Sequence, residues 1–478
     1  MNTINRLLPL AVALVLAGCA TALPPLPASV DTPAQFKEQG PAAQATDPAQ
    51  WTIAPPAEAQ SRGTWWKAFG DPVLDALIER SAVGNTDIQQ AAARLAQARA
   101  LLRGAQAERA PQIGAGASAD RGAGANTANG STPATLLQAG LNLSYEVDLF
   151  GRLARAQDAA SLDAQSRQAL LQSTRLLVQA EVAQTYLALR ATDTERALMQ
   201  DTANAYTDTL RLTQRRFEAG DVAELDVIRI QTEQAATEAE VIALERTRAE
   251  LEHALAVLLG EPASGFALAP TATARTLPVI PPGVPATVLA RRPDVAAAQA
   301  SLLAAQARVG VAQAAWFPRV SLTGAAGFAS PELGDLFQWS ARSWGVGALL
   351  SLPLFDGGRR QAGVQNAQAE FDAVAAQYRG QVLNALREVE DQLSSLRLLH
   401  EQSLAQGRAV NAAQRASAIS ETRWRNGLVS QLELLDARRN ELFNRRQAQR
   451  VEAARQQATV RLIRALGGGW GTGEPQRG

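Results

Sequence analysis

The 478-residue chain has one cysteine, Cys19, two histidines and a formal net charge of zero. A single cysteine excludes an intramolecular disulfide framework. His253 and His400 both lie within long helical patterns, with no Ser/His/Asp order, metal-ligand cluster or phosphate-binding glycine loop to accompany them. Catalysis, a bound metal and a bound cofactor are therefore not expected. The balanced charge, with a pI near 6.8, argues against nucleic-acid binding. Aromatics make up only 5% of the chain. After the N-terminus no run of roughly 18 apolar residues occurs, which excludes a bundle of transmembrane helices. Lysine is nearly absent: Lys37 and Lys67 are the only two, so the positive charge is almost all arginine.

Proline is missing throughout Arg359 to Gly427. There Phe371, Val374, Tyr378, Val382, Val389, Leu393 and Leu396 recur at steps of three, four and seven, the period of a helix with one buried stripe. At ~1.5 Å per residue such a helix is roughly 100 Å long, over three times a ~30 Å hydrocarbon layer. Glutamine, arginine and alanine fill its other faces, so it stands in water, and its length implies a coiled-coil or tubular assembly.

The first half of the chain repeats the second at an offset of 207. Asp294 maps to Asp87, Pro318 to Pro111, Gly358-Arg359 to Gly151-Arg152, Gly427 to Gly220 and Gly467 to Gly260. Along the stripe Leu383 maps to Leu176, Val389 to Val182, Leu393 to Tyr186 and Leu396 to Leu189, while Val382 falls on Arg175 and Phe371 on Ala164. The chain is a tandem duplication whose period is too long for a solenoid.

Residues 1–18 read as a signal peptide, with Arg6 in the charged region and Leu7 to Ala17 as the apolar core. Leu16-Ala17-Gly18-Cys19 resembles a bacterial lipobox that would place a lipid on Cys19; an ordinary signal peptide with an incidental cysteine is the alternative. Ala20, rather than aspartate, follows, which points to the outer membrane. Residues 19–63 form the lipidated N-terminus and an extended tether rich in Pro, Ala and Gln. The first repeat, 64–260, opens on Trp65 and Trp66, which pack against the body. A helix over Asp71 to Ser81 follows, with Asp71 as cap and Pro72 in its first turn. Helices over Asp87 to Arg109 and Pro293 to Ala315 stop at Pro111 and Pro318. After each of those prolines the apolar period becomes two, giving strands at about 112–121 and 138–148, then 319–328 and 343–354, joined by loops at 122–133 and 330–340.

Short strands with one apolar face fit a membrane β-barrel, although a soluble hairpin on a core has similar statistics. Four strands per chain cannot close a barrel, so strands that span a membrane must be shared between chains. The residues leave two or three copies open. Each half then enters a helical hairpin, with tips near Gly220 and Gly427, and returns to Gly260 or Gly467. Ser430-x-x-Glu433 has the form of a capping box. A connecting segment, 261–290, leads to the second repeat, 291–467, and a tail, 468–478.

Trp66-Lys67-x-Phe69-Gly70-Asp71-Pro72, Asp148-Leu149-Phe150-Gly151-Arg152 and Arg291-Arg292-Pro293-Asp294 carry a resemblance to the TolC-like outer-membrane efflux proteins, in the lipoprotein branch serving resistance-nodulation-division pumps. So do Pro353-Leu354-Phe355-Asp356-Gly357-Gly358-Arg359 and Gly427-x-x-x-x-Leu432-x-Leu434-Leu435-Asp436-Ala437. The resemblance implies a mainly α fold with a membrane β-barrel: a homotrimer whose twelve-stranded barrel continues as a periplasmic α-helical tunnel. It implies a passive exit duct for drugs or other small molecules, fed by an inner-membrane pump through a periplasmic adaptor. Type I protein secretion uses the same fold and is the alternative. The adaptor would dock on the hairpin tips, Gly220, Asp221, Val222, Gly427, Leu428 and Val429. A periplasmic gate is implied at Leu432, Glu433, Asp436 and Asp226, with Arg229 or Arg439 as partners of the carboxylates. For Glu433, capping of its own helix is an equal reading. Trp424 and Val429 stand where TolC has a latching tyrosine and arginine, so that latch is not expected here.

Overall fold

The computed structural model describes residues 23–28, 30–38, 63–123, 133–271, 277–278 and 285–468. The signal peptide, Cys19, most of the tether and nearly all of the tail lie outside the described residues. The chain forms two compact units.

The first unit combines Ala93–Ala169 and Ala297–Gly380 with the N-terminal residues. It contains one antiparallel sheet in the order β1 (Gln112–Gly122), β2 (Ala134–Val147), β3 (Arg319–Ser330) and β4 (Arg342–Ser351). The pairing of β2 with β3 joins the two repeats. Register sorts the side chains into two faces, because residues opposite one another in an antiparallel pair share a face. One face carries Ile113 and Ala115 beside Leu143 and Leu141, then Gly324 and Ala326, then Val346 and Trp344. The other carries Gly114, Gly116, Asn142, Gly140, Ala325, Gly327, Gly345 and Ser343. The apolar face is bare in the single chain: Ile113 is 70%, Trp344 76% and Val346 81% exposed. Strand β4 ends at Ser351 rather than at 354, since Pro353 cannot donate to the ladder. Leu354 stands outside it and is 88% exposed.

Helices α2 (Thr86–Ala107), α3 (Arg152–Glu218), α6 (Pro293–Ala314) and α7 (Arg359–Arg425) connect directly to the strands. Asp148 starts α3 by accepting from the Leu153 and Ala154 amides, and Asp356 does the same for α7 through the Gly358 and Arg360 amides. Among the described residues α6 is the one helix apolar enough to cross a membrane by length and composition, yet half of it is buried. Its Leu302, Ala305 and Val309 pack on Phe371 of α7, flanked by Val374 and Tyr378 of the expected stripe.

The second unit holds Val30–Ala92, Leu170–Ala296 and Gln381–Gly478. Here lie α1 (Pro72–Gly84), α4 (Glu224–Leu259), α5 (Pro285–Arg291) and α8 (Gln431–Ala465). Asp71 caps α1, which runs three residues beyond Ser81. Helix α5 begins inside the segment expected to be a mere connection. The offset of 207 recurs in the structure: both ends of α2 and α6, and both ends of α3 and α7, are separated by it. Contacts recur too. Asn85 donates to the Leu258 carbonyl (2.9 Å), and Arg292, its counterpart, donates to Ala465 (2.9 Å).

The N-terminal segment is extended but not free. The Gln306 side chain donates to the Pro24 carbonyl (2.7 Å) within the first unit. In the second, the Lys37 and Glu38 amides donate to Glu390 (2.7 and 2.9 Å), Phe36 is buried, and Arg397 holds Glu38 at 2.8 Å. Arg190, which corresponds to Arg397 in the first repeat, donates to the Ala269 carbonyl of the inter-repeat segment (2.6 Å). Equivalent arginines therefore pin the N-terminal segment on one repeat and the connection on the other. Arg190 also pairs with Asp193, which accepts from Arg248 at 2.7 Å, and both Arg190 and Asp193 are buried. Trp65 and Trp66 are buried against the body, as expected.

The backbones of Gly84 and Gly260 meet so closely that a Cβ on Gly260 would lie 2.0 Å from the Gly84 carbonyl oxygen, and Gly260 has φ +74. Gly260→Ala should cost about 2–4 kcal/mol through overpacking and left-handed strain, and so lower the melting temperature of the purified protein. Gly104→Ala, in an open helical site, should leave it unchanged or raise it. Tyr186 donates to Asp71 (2.6 Å). Burial first, and that hydrogen bond second, push its hydroxyl up to about 12, against Arg190. The native protein then keeps a proton that the unfolded chain releases from pH 10. Stability from this group should be complete below pH 10 and decline as pH rises to about 12, and Tyr186→Phe should abolish that decline.

Candidate functional site

The two hairpin tips share one backbone solution. Gly220 (φ +81) and Gly427 (φ +69) close α3 and α7. The Asp221 amide donates to Arg216 O and the Leu428 amide to Arg423 O, each 2.8 Å, while the glycine amides reach back to Phe217 and Trp424. This double bond pattern is the helix-ending motif that requires a left-handed residue. Asp221, Val222, Leu428 and Val429 complete the two turns, with Leu428 67% exposed.

The return helices start differently. Ser430 caps α8 by accepting from the Glu433 amide (3.3 Å), whereas Ala223 gives α4 no side-chain cap. The reciprocal half of the capping box is not made: the Glu433 carboxylate faces Arg423 at 3.7 Å. Asp436 lies 3.7 Å from Arg439, and Asp226 lies 3.7 Å from Arg229. Leu432 is 43% exposed. Each expected carboxylate therefore has an arginine beside it, and both expected arginines are so engaged.

Arg439 does more than pair within its helix. Its guanidinium also contacts Glu233 of α4 and so ties the two return helices together. That hydrogen bond, ahead of burial which opposes it, holds the Arg439 guanidinium above its ordinary range. Tyr206 of α3 packs with Ile230 of α4 and Leu435 of α8 just below, and burial, followed by Glu233, pushes its hydroxyl up. Arg438 donates to the Thr209 hydroxyl (3.1 Å) and lies 3.6 Å from Glu421. Arg216 of α3 sits over the Trp424 ring of α7 at 5.7 Å, so the position lacking the latching tyrosine still bridges the hairpins by a cation–π contact. Glu233, Arg438, Arg423 and Arg216 were not singled out in the sequence. The duplication gives no signal for the Glu233–Arg439 pair, because the offset maps these residues to Asn440 and Thr232.

The chemistry available is charge and apolar closure rather than reaction. Among the described residues no cluster of His, Cys, Asp and Glu could hold a metal. The sheet has one apolar and one small, polar face, and the edges of β1 and β4 are unpaired in the single chain.

The family model described as outer membrane efflux protein matches the chain twice, over residues 77–261 and 284–468. The chain belongs to the outer membrane efflux protein family. The two matched segments are themselves 207 residues apart at both ends. Outer membrane protein OprJ of Pseudomonas aeruginosa is 34% identical over 85% of this chain and 87% of its own length. The antibiotic efflux pump outer membrane protein ArpC of Pseudomonas putida is 34% identical over 98% and 96%. The solved outer-membrane channel OprN superposes with a TM-score of 0.85 at 32% identity, covering 94% of this chain and 99% of that one. As a member of the family the chain is an outer-membrane efflux channel, with a helical tunnel in the periplasm and strands in the membrane.

Proposed function

We infer that the protein is the passive exit duct of a tripartite efflux system, working as a homotrimer docked by its hairpin tips on a periplasmic adaptor that joins it to an inner-membrane pump. The observation that carries a barrel shared between chains is the sheet: four strands, an apolar face in register across all of them, and two unpaired edges; the number three is what the family resemblance implies. Unpaired edges cannot stand in lipid, so β4 of one chain pairs with β1 of the next until the barrel closes. Three chains supply twelve strands, within the range of membrane barrels. The apolar face then meets lipid and the glycine-rich face lines a wide, wet lumen. Cys19 carries the lipid anchor. The cargo is small organic molecules, the class to which the names of ArpC and the toluene efflux protein TtgC of Pseudomonas putida point.

Leu432, Glu433, Asp436 and Asp226 form the periplasmic gate. The arginine pairs at this end, Glu433 with Arg423 and Asp436 with Arg439, are about half exposed. Such pairs are worth ~0–1 kcal/mol each. Both pairs lie within one hairpin, so closure rests on the contacts between hairpins, Arg439 with Glu233 and Arg216 with Trp424, and the end opens when an adaptor offers slightly better ones. Three copies of an acidic pair around a narrow axis also disfavour anions.

In planar bilayers the double variant Glu433→Ala, Asp436→Ala should conduct several-fold more than the parent; equal conductance removes the gate assignment. Cells making Cys19→Ser should yield a protein without palmitate label, and labelling at the parental level would show that the lipid is elsewhere.

A further inference from the structure

We propose that the outward face of the sheet holds, at its loop end, a site for an acyl chain of a phosphorylated glycolipid of the outer leaflet, with Arg342 binding the phosphate. The strands meet the helices at one end and the loops at the other. In an outer-membrane channel with a periplasmic tunnel, the loop end faces the cell surface. There the apolar face dips into a depression of about 560 Å³, lined by Ala139, Leu141, Ala326, Phe328, Phe337 and Trp344, with Arg342 on its rim.

The dip has a local cause. Ala139 and Ala326 present only methyl groups on this face, so the floor is low between the larger Leu141, Phe328 and Trp344. Phe337 comes from the β3–β4 loop, meets Phe328 edge-on at 5.8 Å and is 70% exposed. It raises the wall of a trough whose apolar lining suits a hydrocarbon chain.

Charge selects the head group. On this face of the four strands Arg121 and Arg342 stand at the loop end, and no carboxylate stands anywhere; Asp120 and Glu146 are on the other face. The nearest acids in sequence, Glu332 and Asp335, are on the loop, and Asp335 accepts from Gln338 (2.6 Å). Arg342 is held in place by the Trp339 carbonyl (3.1 Å) and ring (4.6 Å). One of its five N–H donors is spent there, leaving the rest for phosphate oxygens. Free phosphate would have no use for the trough, and a neutral lipid none for the arginine.

The test is native mass spectrometry of the detergent-purified full chain, titrated with diphosphorylated lipid A, its dephosphorylated form and phosphatidylglycerol. Diphosphorylated lipid A should be retained most tightly, and Arg342→Gln should weaken it about tenfold, the loss of one charge-assisted contact. The dephosphorylated form should bind parent and Arg342→Gln equally weakly. Ala326→Leu, which fills the trough and spares the arginine, should reduce retention of both forms. Equal retention of lipid A by the parent and Arg342→Gln, or phosphatidylglycerol bound as tightly as lipid A, overturns the site. The inference rests on the outer-membrane channel reading, which single-channel conductance of the same samples checks separately: preserved conductance with no lipid preference sinks the site alone.

Discussion

Every backbone amide and carbonyl that enters lipid must find a partner, and a four-stranded sheet leaves two edges without one. The rest of the structure follows from that constraint. A chain that contributes only part of a barrel must keep its two faces in register from strand to strand, and β1 to β4 do so residue by residue. Because the pleat alternates, the same register that puts Leu141, Leu322 and Val346 on the apolar face puts Asn142, Thr323 and Gly345 on the other. Glycine gathers on the second face, at Gly114, Gly116, Gly140, Gly327, Gly345 and Gly347, where the close strand pair at Gly140 and Gly327 tolerates no side chain.

The duplication has been kept where backbone meets backbone and lost where side chains do specific work. Gly84 abuts Gly260, and the corresponding Arg291 abuts Gly467, so both repeats seat the end of one helix on the end of another. The polar contact beside it also survives, although its donor changed from Asn85 to Arg292. At the tips the repeats part company. Ser430 caps α8 and Ala223 leaves α4 uncapped, while Trp424 takes the contact with Arg216 that its counterpart Phe217 does not mirror.

Local pattern and tertiary packing divide the information cleanly. Periodicity determined the long helices, the change to strands after Pro111 and Pro318, and the stripe of Phe371, Val374 and Tyr378, because burial on one side imposes its own repeat on the chain. Glycine chemistry determined both tips, since a left-handed residue is needed wherever a long helix reverses. Boundaries were less legible where two signals competed: Leu354 keeps the alternation, but Pro353 cannot keep the ladder. The docking of the N-terminal segment on Glu390 and Arg397, the buried Arg190–Asp193–Arg248 set, and the Glu233–Arg439 bridge were decided only by the tertiary structure. Each joins residues far apart in the chain with no shared period, so nothing in a local window records that they meet. The sequence by itself determined the long helices, the strands and how they repeat; the short helix α5 and the charges that face each other across those elements depended on the packing that brings the helices side by side.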